Sequence, residues 1–256
     1  MRKVFISVVS HCHGEVIQKV NCLPALARYF TVVVKSNVKE ALENYCFEHD
    51  ILYLPPTQVM GFGENNNVIF QYCKQQLGMK GEDFFILINP DVYVSFSAIS
   101  TLISEMESAD VSCATINLFR DYEMTIHDYS VRNFPGLFDF ISSYIGLKNK
   151  TKIVKEEIFS PCLVDWAAGS FLAFESDKYE LVGGFDEKYF MYCEDINIFF
   201  RLKKQGYPLV FFPDIKAVHL AQHKNRKLFS MHFFWHAKSV IRYLIDKITY
   251  DLKKHF

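Results

Sequence analysis

The chain has 256 residues, half of them apolar, and a formal net charge of −1, which allows one large domain and argues against disorder. The near-neutral charge argues against a nucleic-acid-binding surface, and no apolar run is long enough for a membrane-spanning helix. Seven cysteines without a C-x-x-C pair favour free thiols in a reducing compartment, and the N-terminal apolar run is too short for a signal peptide. We therefore expect a cytoplasmic protein.

Short apolar runs alternate with helical patterns through the first half of the chain. The predicted strands cover residues 4–9, 31–34, 51–54, 84–88 and 111–116. The first predicted helix ends near residue 28, and the later ones cover residues 38–48, 65–76 and 97–108. Strands that alternate with helices predict an α/β fold, with a mostly parallel sheet and helices on both faces.

Polar residues and glycines follow four of these strands. They are Ser10 and His11, then Ser36 and Asn37, then Gly61 and Gly63, then Asn89 and Asp91. Ordinary turns favour such residues, but ligands of such sheets bind where the strands end. Because these positions share one edge, we expect a ligand crevice there.

The stretch GFGENNN at residues 61–67 is neither a P-loop nor G-x-G-x-x-G. Its glycines permit a close backbone approach, and an asparagine can cap the helix that follows. Capping needs a single asparagine, so the run Asn65, Asn66 and Asn67 favours a further role in binding.

A candidate metal site combines Asp91 with His219. Asp91 follows a wholly apolar strand, where a carboxylate can hold a hard divalent cation together with phosphate oxygens. The alternative is an Asx-type turn. His219 ends the second of two short predicted strands, at residues 209–213 and 217–220, and so returns to the same edge. A lone histidine is more often structural, but this position favours a metal ligand.

The regular alternation stops between residues 117 and 161. Such a long irregular stretch predicts a functional loop, and it carries Arg132. The alternative is a structural excursion with solvated charges. Trp166 follows, beside the small residues Ala167, Ala168 and Gly169, which predicts one wall of a ligand pocket; a buried core tryptophan is the alternative.

An acidic pair, Glu194 and Asp195, opens a helical pattern within residues 183–201. Carboxylates in the first turn of a helix are favoured in the ionised form by the helix dipole. Asp195 beside an aromatic run is therefore a candidate general base. The alternative is that the pair only caps a buried helix.

The last part of the chain has a different composition. From residue 222 it combines lysines and arginines, including Lys224, with aromatic and aliphatic residues. This pattern predicts a basic amphipathic helix on a membrane surface, with packing on the domain as the alternative. We expect a catalytic domain over residues 1–221 and a helical extension over residues 222–256.

Four stretches together resemble glycosyltransferase family 2, whose members have the GT-A fold with a Rossmann-like sheet. They are NPDV at residues 89–92, WAAGS at 166–170, GGFDEKYFMYCED at 183–195, and His219. The strings GFGENNN, HDYSVRNFP and VDWAAGSF are similar to one subgroup, the enterobacterial O-antigen rhamnosyltransferases. The resemblance covers roughly residues 3–245.

This resemblance implies an inverting transfer of L-rhamnose from dTDP-L-rhamnose to N-acetylglucosamine on a polyprenyl diphosphate. It implies that Asp195 is the base and that Asn89, Pro90 and Asp91 occupy the place of the metal-binding D-x-D motif. Asn89 departs from that motif, which puts the strength of metal binding in doubt. The expected cofactor is Mg²⁺ or Mn²⁺, held by Asp91 and His219. The expected location is the inner face of the bacterial inner membrane.

The resemblance also implies a binding role for each of the remaining candidate residues. The nucleotide sugar is expected to contact Ser10, His11, Ser36, Asn37, Gly63, Asn65, Asn66, Asn89 and Asp91. The sugar or the acceptor is expected to contact Arg132, Trp166, Gly169, Glu194 and Lys224.

Three alternatives stay open at this point. One is a family member that uses another nucleotide sugar. A second is a sugar-nucleotidyltransferase, which would usually need a glycine-rich basic loop, whereas residues 10–15 offer only Gly14 and no lysine or arginine. A third is a non-catalytic, membrane-bound carbohydrate-binding module, which would leave the acidic pair without a role.

Overall fold

A mixed β-sheet with helices on both faces forms the core of the chain. The computed structural model describes residues 2–144, 150–220 and 231–253. The strands are β1 Val4–Ser10, β2 Thr31–Ser36, β3 Leu52–Leu54, β4 Phe84–Ile88, β5 Val92–Tyr93, β6 Cys113–Phe119, β7 Val131–Arg132, β8 Cys162–Val164, β9 Trp166–Ala167, β10 Phe171–Glu175 and β11 Leu209–His219. The helices are α1 Gly14–Val20, α2 Leu23–Ala27, α3 Glu43–Glu48, α4 Phe62–Leu77, α5 Phe96–Ser108, α6 Leu137–Tyr144, α7 Ser176–Leu181, α8 Glu194–Lys204 and α9 Met231–Lys253.

The main sheet has the strand order β3-β2-β1-β4-β10-β6-β11-β5, with β8 also paired to β11. The strands β3, β2, β1 and β4 run parallel, as do β6 and β11. Strand β10 runs antiparallel to both β4 and β6, so its first residue lies at the edge where those two strands end. The α/β class is confirmed, while the sheet is mixed rather than mostly parallel.

The strands are buried because helices cover both faces of the sheet. All five residues of β4 are buried, which explains why this strand is a continuous apolar run. All seven residues of β6 are buried as well, including the polar Thr115 and Asn117. One face packs against α1, α2, α3 and α5. The other packs against α4, α7, α8 and α9.

Several element boundaries differ from the sequence-based prediction for local reasons. The first predicted helix is two helices, because Asn21 adopts a left-handed conformation with φ 51° and ends α1. Residues 38–42 precede the short α3 instead of belonging to it, and α4 begins earlier than predicted, at Phe62. The two short strands predicted after residue 208 form one strand, β11, with an irregularity between Phe212 and Lys216. Pro213, which lacks an N–H donor, lies within that irregularity.

Helix α9 packs on the domain through one face. Val240 and Tyr243 are buried in the same core as α8. The carboxylate of Asp246 accepts a hydrogen bond from the Tyr189 hydroxyl at 2.7 Å, and Ser239 Oγ donates to the carbonyl oxygen of Met191 at 2.9 Å. Among the described residues, no helix is both long and apolar enough to cross a membrane. The predicted boundary at residue 221 and Lys224 lie outside the described residues.

Candidate active site at the carboxyl edge of the sheet

The ends of β1 and β2 bring four predicted nucleotide contacts together. Ser10 pairs with Ser36, and the Asn37 backbone N–H donates to the Ser10 carbonyl oxygen at 2.7 Å. The Asn37 side chain lies 3.2 Å from His11 Nδ1. It also bonds to both backbone groups of Met60, each at 2.9 Å. Asn37 therefore fixes the loop before α4 against the end of β2.

The three asparagines of α4 have separate structural roles. Among the described side chains, none caps this helix, whose N-cap residue is Gly61. Asn65 donates from Nδ2 to the carbonyl oxygens of Met60 and Gly61, at 3.1 and 2.8 Å. Asn66 donates to the Phe62 carbonyl oxygen and accepts from Ser7 Oγ at 2.7 Å, so its amide is satisfied inside the domain. The predicted capping role is therefore wrong.

Gly63 and Asn66 make close contacts inside the domain, and their predicted contact with a nucleotide stays a prediction. A Cβ atom on Gly63 would lie 2.6 Å from the Cβ atom of Phe185, so a larger residue there would push α4 away from the loop that precedes α8. Asn66 bonds to Ser7, in the middle of β1 and away from the strand end. The structure gives no support to a direct nucleotide contact by either residue.

A cavity of about 550 Å³ lies beside the ends of β1 and β2. Its lining includes Cys12, Gly14 and Glu40. Glu40 accepts the Gly14 backbone N–H on Oε2 at 2.9 Å, while its Oε1 atom is buried and has no hydrogen-bond partner among the described residues. Glu40 Oε1 is therefore a buried acceptor without a partner among the described residues, beside the ends of these strands.

Further buried polar atoms at this edge are unsatisfied within the described part of the chain. They are Oγ of Ser36, Oδ1 of Asn65, Oγ of Ser170 and Oε2 of Glu194. Buried polar atoms are usually hydrogen-bonded, so such a group along one crevice is what a site for a polar ligand would show. Ser170 is fixed there because its carbonyl oxygen accepts the Asn89 backbone N–H at 2.9 Å.

The two predicted metal ligands lie side by side. His219 pairs with Val92 in the ladder between β11 and β5, and the Leu220 N–H donates to the Asp91 carbonyl oxygen at 3.0 Å. His219 Nε2 is 3.4 Å from Asp91 Oδ1, and His219 Nδ1 is 3.2 Å from Asp128 Oδ2. Burial lowers the pKa of His219, but the hydrogen bonds to Asp128 and Asp91 outweigh it and raise the pKa to about 9. Asp91, despite its burial, has a lowered pKa because of the same histidine.

Asp91 and His219 suit a divalent cation that shares its coordination with a ligand. No group of three or more His, Cys, Asp or Glu side chains forms a complete metal site in the described ranges. Mg²⁺ typically binds one or two protein groups and completes its shell with phosphate oxygens and water. The pair at 3.4 Å, only partly exposed at the crevice edge, fits that pattern.

Asp195 lies in the first turn of α8, and the two residues directly before this helix have an unusual backbone conformation. Tyr192 and Cys193 both have left-handed φ angles, of 71° and 62°. Non-glycine residues rarely adopt this conformation, and such strain is concentrated at functional sites. The two residues orient the start of α8, and with it the acidic pair.

Burial, rather than the helix dipole, dominates the electrostatics of the acidic pair. It raises the pKa of Asp195 to about 6, against the opposing effects of the Ile196 N–H, the Arg132 charge and the Gly169 N–H. Burial and the neighbouring Asp195 charge raise the pKa of Glu194 well above its usual range. Burial therefore outweighs the helix dipole at both carboxyl groups: the pKa of each is raised, and near neutral pH Asp195, with a pKa of about 6, is still mainly a carboxylate. This gives Asp195 the basicity of a general base that works near neutral pH.

The Arg132 charge and the Gly169 N–H both interact with Asp195, and Trp166 packs against Arg132. Arg132 pairs with Trp166 between β7 and β9, and its guanidinium carbon lies 5.8 Å from the centroid of the indole ring. Trp166 is only 8% exposed and donates from Nε1 to the Asn133 carbonyl oxygen at 2.9 Å. The alternative of a core tryptophan is therefore the better description. A Cβ on Gly169 would lie 2.7 Å from the Phe62 ring.

Sequence reasoning missed Asp128, Lys155 and the role of Asn67. Lys155 Nζ contacts Asp128 Oδ1 at 2.5 Å, and both side chains are buried. No sequence signal identifies a buried lysine, although Asp128 lies within HDYSVRNFP. Asn67 accepts hydrogen bonds from the Tyr179 hydroxyl and the Phe185 N–H, and it donates to the Phe185 carbonyl oxygen. It thereby fixes the loop before α8 to α4.

Two solved structures share this fold. TarS of S. aureus superposes with a TM-score of 0.55 at 12% identity, over 84% of this chain and 36% of TarS. GalNAc-T7, crystallised with UDP, GalNAc and Mn²⁺, gives 0.57 at 12% identity, over 100% of this chain and 58% of that protein. The chain thus spans between a third and three fifths of these two proteins. The fold is therefore the GT-A fold expected from the sequence. The choice between a glycosyltransferase and the nucleotidyltransferase or the non-catalytic module rests on the sequence relatives.

The sequence relatives are more specific, although no family model matches the chain. Rhamnosyltransferase WbbL of Escherichia coli K12 is 41% identical over 246 residues, which are 95% of this chain and 93% of WbbL. N-acetylglucosaminyl-diphospho-decaprenol L-rhamnosyltransferase of Mycobacterium tuberculosis is 28% identical over 77% of this chain and 68% of its own length. The chain belongs to the rhamnosyltransferase family that includes WbbL, and the resemblance inferred from the motifs is confirmed.

Proposed function

We propose that this chain transfers L-rhamnose from dTDP-L-rhamnose to N-acetylglucosamine on a polyprenyl diphosphate, in the synthesis of a cell-surface polysaccharide such as O-antigen. The names of the two rhamnosyltransferase relatives support the sugar, and the mycobacterial one supports the acceptor. The observation that carries the proposal is Asp195, held by a strained turn with a pKa of about 6 beside Arg132 and Gly169.

In this proposal the reaction is a single displacement at the anomeric carbon. Asp195 accepts the proton of the acceptor hydroxyl as that oxygen attacks, and the bond to the dTDP oxygen breaks on the opposite side, with inversion. Arg132 keeps Asp195 sufficiently acidic to remain ionised near neutral pH. Glu194, whose pKa is raised by burial and by the neighbouring Asp195 charge, would hydrogen-bond to a sugar oxygen.

The donor would lie along the ends of β1, β2 and β4. Ser10, Ser36 and Asn65 border this crevice, and the latter two contribute unpaired buried oxygens. A divalent cation at Asp91 and His219 would neutralise the charge that gathers on the departing diphosphate.

The outer face of α9 would hold the enzyme on an anionic membrane, close to a lipid-linked acceptor. Phe234, Ile241, Ile245 and Ile248 are each more than half exposed and recur at helical spacing, and Lys238 lies on the same face. An apolar stripe with basic residues is the pattern of a helix that lies in the membrane interface. The opposite face packs on the domain, so packing and membrane contact are compatible.

A direct test uses full-length protein, a synthetic N-acetylglucosaminyl diphospho-lipid and a panel of nucleotide sugars with Mg²⁺ or Mn²⁺. We expect rhamnosylated product only from dTDP-L-rhamnose, with inverted anomeric configuration by NMR. Asp195→Asn is expected to lower the rate by roughly 10²- to 10⁴-fold. Transfer from a different nucleotide sugar would overturn the donor, and retained configuration would overturn the mechanism.

A further inference from the structure

We propose that Asp128, fixed by Lys155, is a positioning residue that orients His219 toward the divalent cation. This inference rests on the metal site of the proposed function and extends it to residues that contact neither cation nor substrate. It gives the irregular segment between residues 117 and 161 a defined role.

His219 lies between two carboxylates that differ in their surroundings. Asp91 faces Nε2 at the crevice edge, at 3.4 Å, and its side chain is 19% exposed. Asp128 faces Nδ1 from the interior, at 3.2 Å, and its side chain is only 7% exposed. The imidazole therefore has one ring nitrogen at the ligand crevice and one bound within the domain.

Asp128 is held rigidly in place. Its Oδ1 atom accepts from Lys155 Nζ at 2.5 Å, from the Ser130 N–H at 3.0 Å and from Ser130 Oγ at 2.6 Å. Its backbone N–H donates to the Leu118 carbonyl oxygen at 3.0 Å, at the end of β6. With Oδ1 fully used, Oδ2 remains for His219.

Lys155 supplies the charge that balances Asp128. Its side chain is 1% exposed, and its ammonium group also lies 3.1 Å from Ser130 Oγ. Burying such a pair is costly, and replacement by apolar residues is often neutral for stability. A role in orienting the neighbouring histidine gives this costly pair a function.

The proton balance at His219 follows from this geometry. A cation between Asp91 and His219 takes the place of the Nε2 proton, which leaves to solvent. The other proton stays on Nδ1, where it is hydrogen-bonded to Asp128 Oδ2, so the neutral ring presents its Nε2 lone pair to the cation. Carboxylates that hold the second nitrogen of a metal-bound histidine typically raise metal affinity by 10- to 100-fold.

The main test variant is Asp128→Asn in the full chain. Asparagine has one acceptor oxygen, so it cannot serve both His219 and Lys155, and the amide NH₂ group would face His219 Nδ1. That favours the opposite tautomer, with the proton on Nε2. We expect Mn²⁺ affinity, measured by EPR of free Mn²⁺ with and without dTDP, to fall by about 10- to 100-fold.

A matched control and a second readout separate positioning from general stability. Asp83→Asn removes another buried carboxylate, which accepts the Lys3 and Lys80 backbone N–H groups at the opposite end of the sheet. It is expected to bind Mn²⁺ normally. With ¹⁵N-labelled histidine and Mg²⁺, His219 should give the Nδ1–H tautomer in wild type but not in Asp128→Asn, with His219→Gln identifying the signal.

Each outcome decides the inference. If wild type binds no Mn²⁺ even with dTDP, the metal site of the proposed function fails and the inference with it. If wild type binds Mn²⁺ and Asp128→Asn binds it equally well, only the positioning role is overturned; equal losses in Asp83→Asn overturn it as well. Should Asp128→Asn not fold, the neutral double variant Asp128→Leu with Lys155→Met replaces it, and the same loss of affinity is expected.

Discussion

Replacing Asp195 by asparagine is expected to lower the transfer rate by roughly 10²- to 10⁴-fold and to stabilise the fold at the same time. Burial raises the pKa of this carboxyl from 3.8 to about 6. A shift of about two units corresponds to roughly 3 kcal/mol that the folded state loses by holding the carboxylate. Because Glu194 shares the pocket and part of this cost, we expect Asp195→Asn to raise the free energy of unfolding by about 1–3 kcal/mol at pH 8.

The pH dependence of this gain has a definite sign. The folded pKa lies above the unfolded pKa, so the cost is fully present above about pH 6 and disappears below about pH 4. Urea denaturation at pH 8 and pH 4, together with the transfer rate, measures both effects. Asp214→Asn, at an exposed position, should change neither quantity. A folded Asp195→Asn protein that transfers at the wild-type rate, or one less stable than wild type at pH 8, would refute the reasoning.

Four further outcomes are expected. Asn67→Ala should lower the free energy of unfolding by about 2–3 kcal/mol in urea, because it leaves the Tyr179 hydroxyl and the Phe185 backbone unpaired; an unchanged value would contradict this. The transfer rate at limiting substrate should fall tenfold per pH unit below about pH 6, as Asp195 becomes protonated, and a flat profile from pH 5 to 8 would exclude it as the base. Exhaustive EDTA treatment should abolish transfer and Mg²⁺ or Mn²⁺ should restore it, whereas full activity without metal would remove the role given to Asp91. Replacing Ile241, Ile245 and Ile248 by serine should abolish pelleting with anionic liposomes without altering the circular dichroism, and pelleting equal to wild type would leave α9 with a packing role alone.

Elements whose local sequence pattern matches their burial and secondary structure were predicted well from the sequence. The strand at residues 84–88 is apolar throughout because both of its faces are covered, and the structure places it there with the same bounds. The start of α8 at Glu194 also matched, because its helical spacing begins at the acidic pair. The edge that gathers Ser10, Ser36, Asp91 and His219 followed from a general rule for α/β sheets.

Features that depend on contacts distant in sequence were not predictable. The reversed direction of β10 leaves no mark in its apolar sequence, so the sheet was expected to be more parallel. Asn66 and Asn67 look alike in sequence, but one bonds to β1 and the other to the loop before α8. The pair of Asp128 and Lys155 joins residues that are 27 positions apart, and neither belongs to a known ligand pattern.

The reversed strand β10 also shapes how enzymes of this type can diverge. Strand β6 ends at Phe119 and β10 begins at Phe171, and both positions lie at the active edge. The intervening segment begins and ends at that edge, and between these points its strand β8 pairs with the start of β11. In the proposed function the donor lies on residues 4–91. Substitutions or changes of length in that segment outside β8 can alter acceptor choice during evolution without disturbing the strand order. Chimeras that exchange residues 120–170 between relatives should accordingly exchange the acceptor and keep the donor.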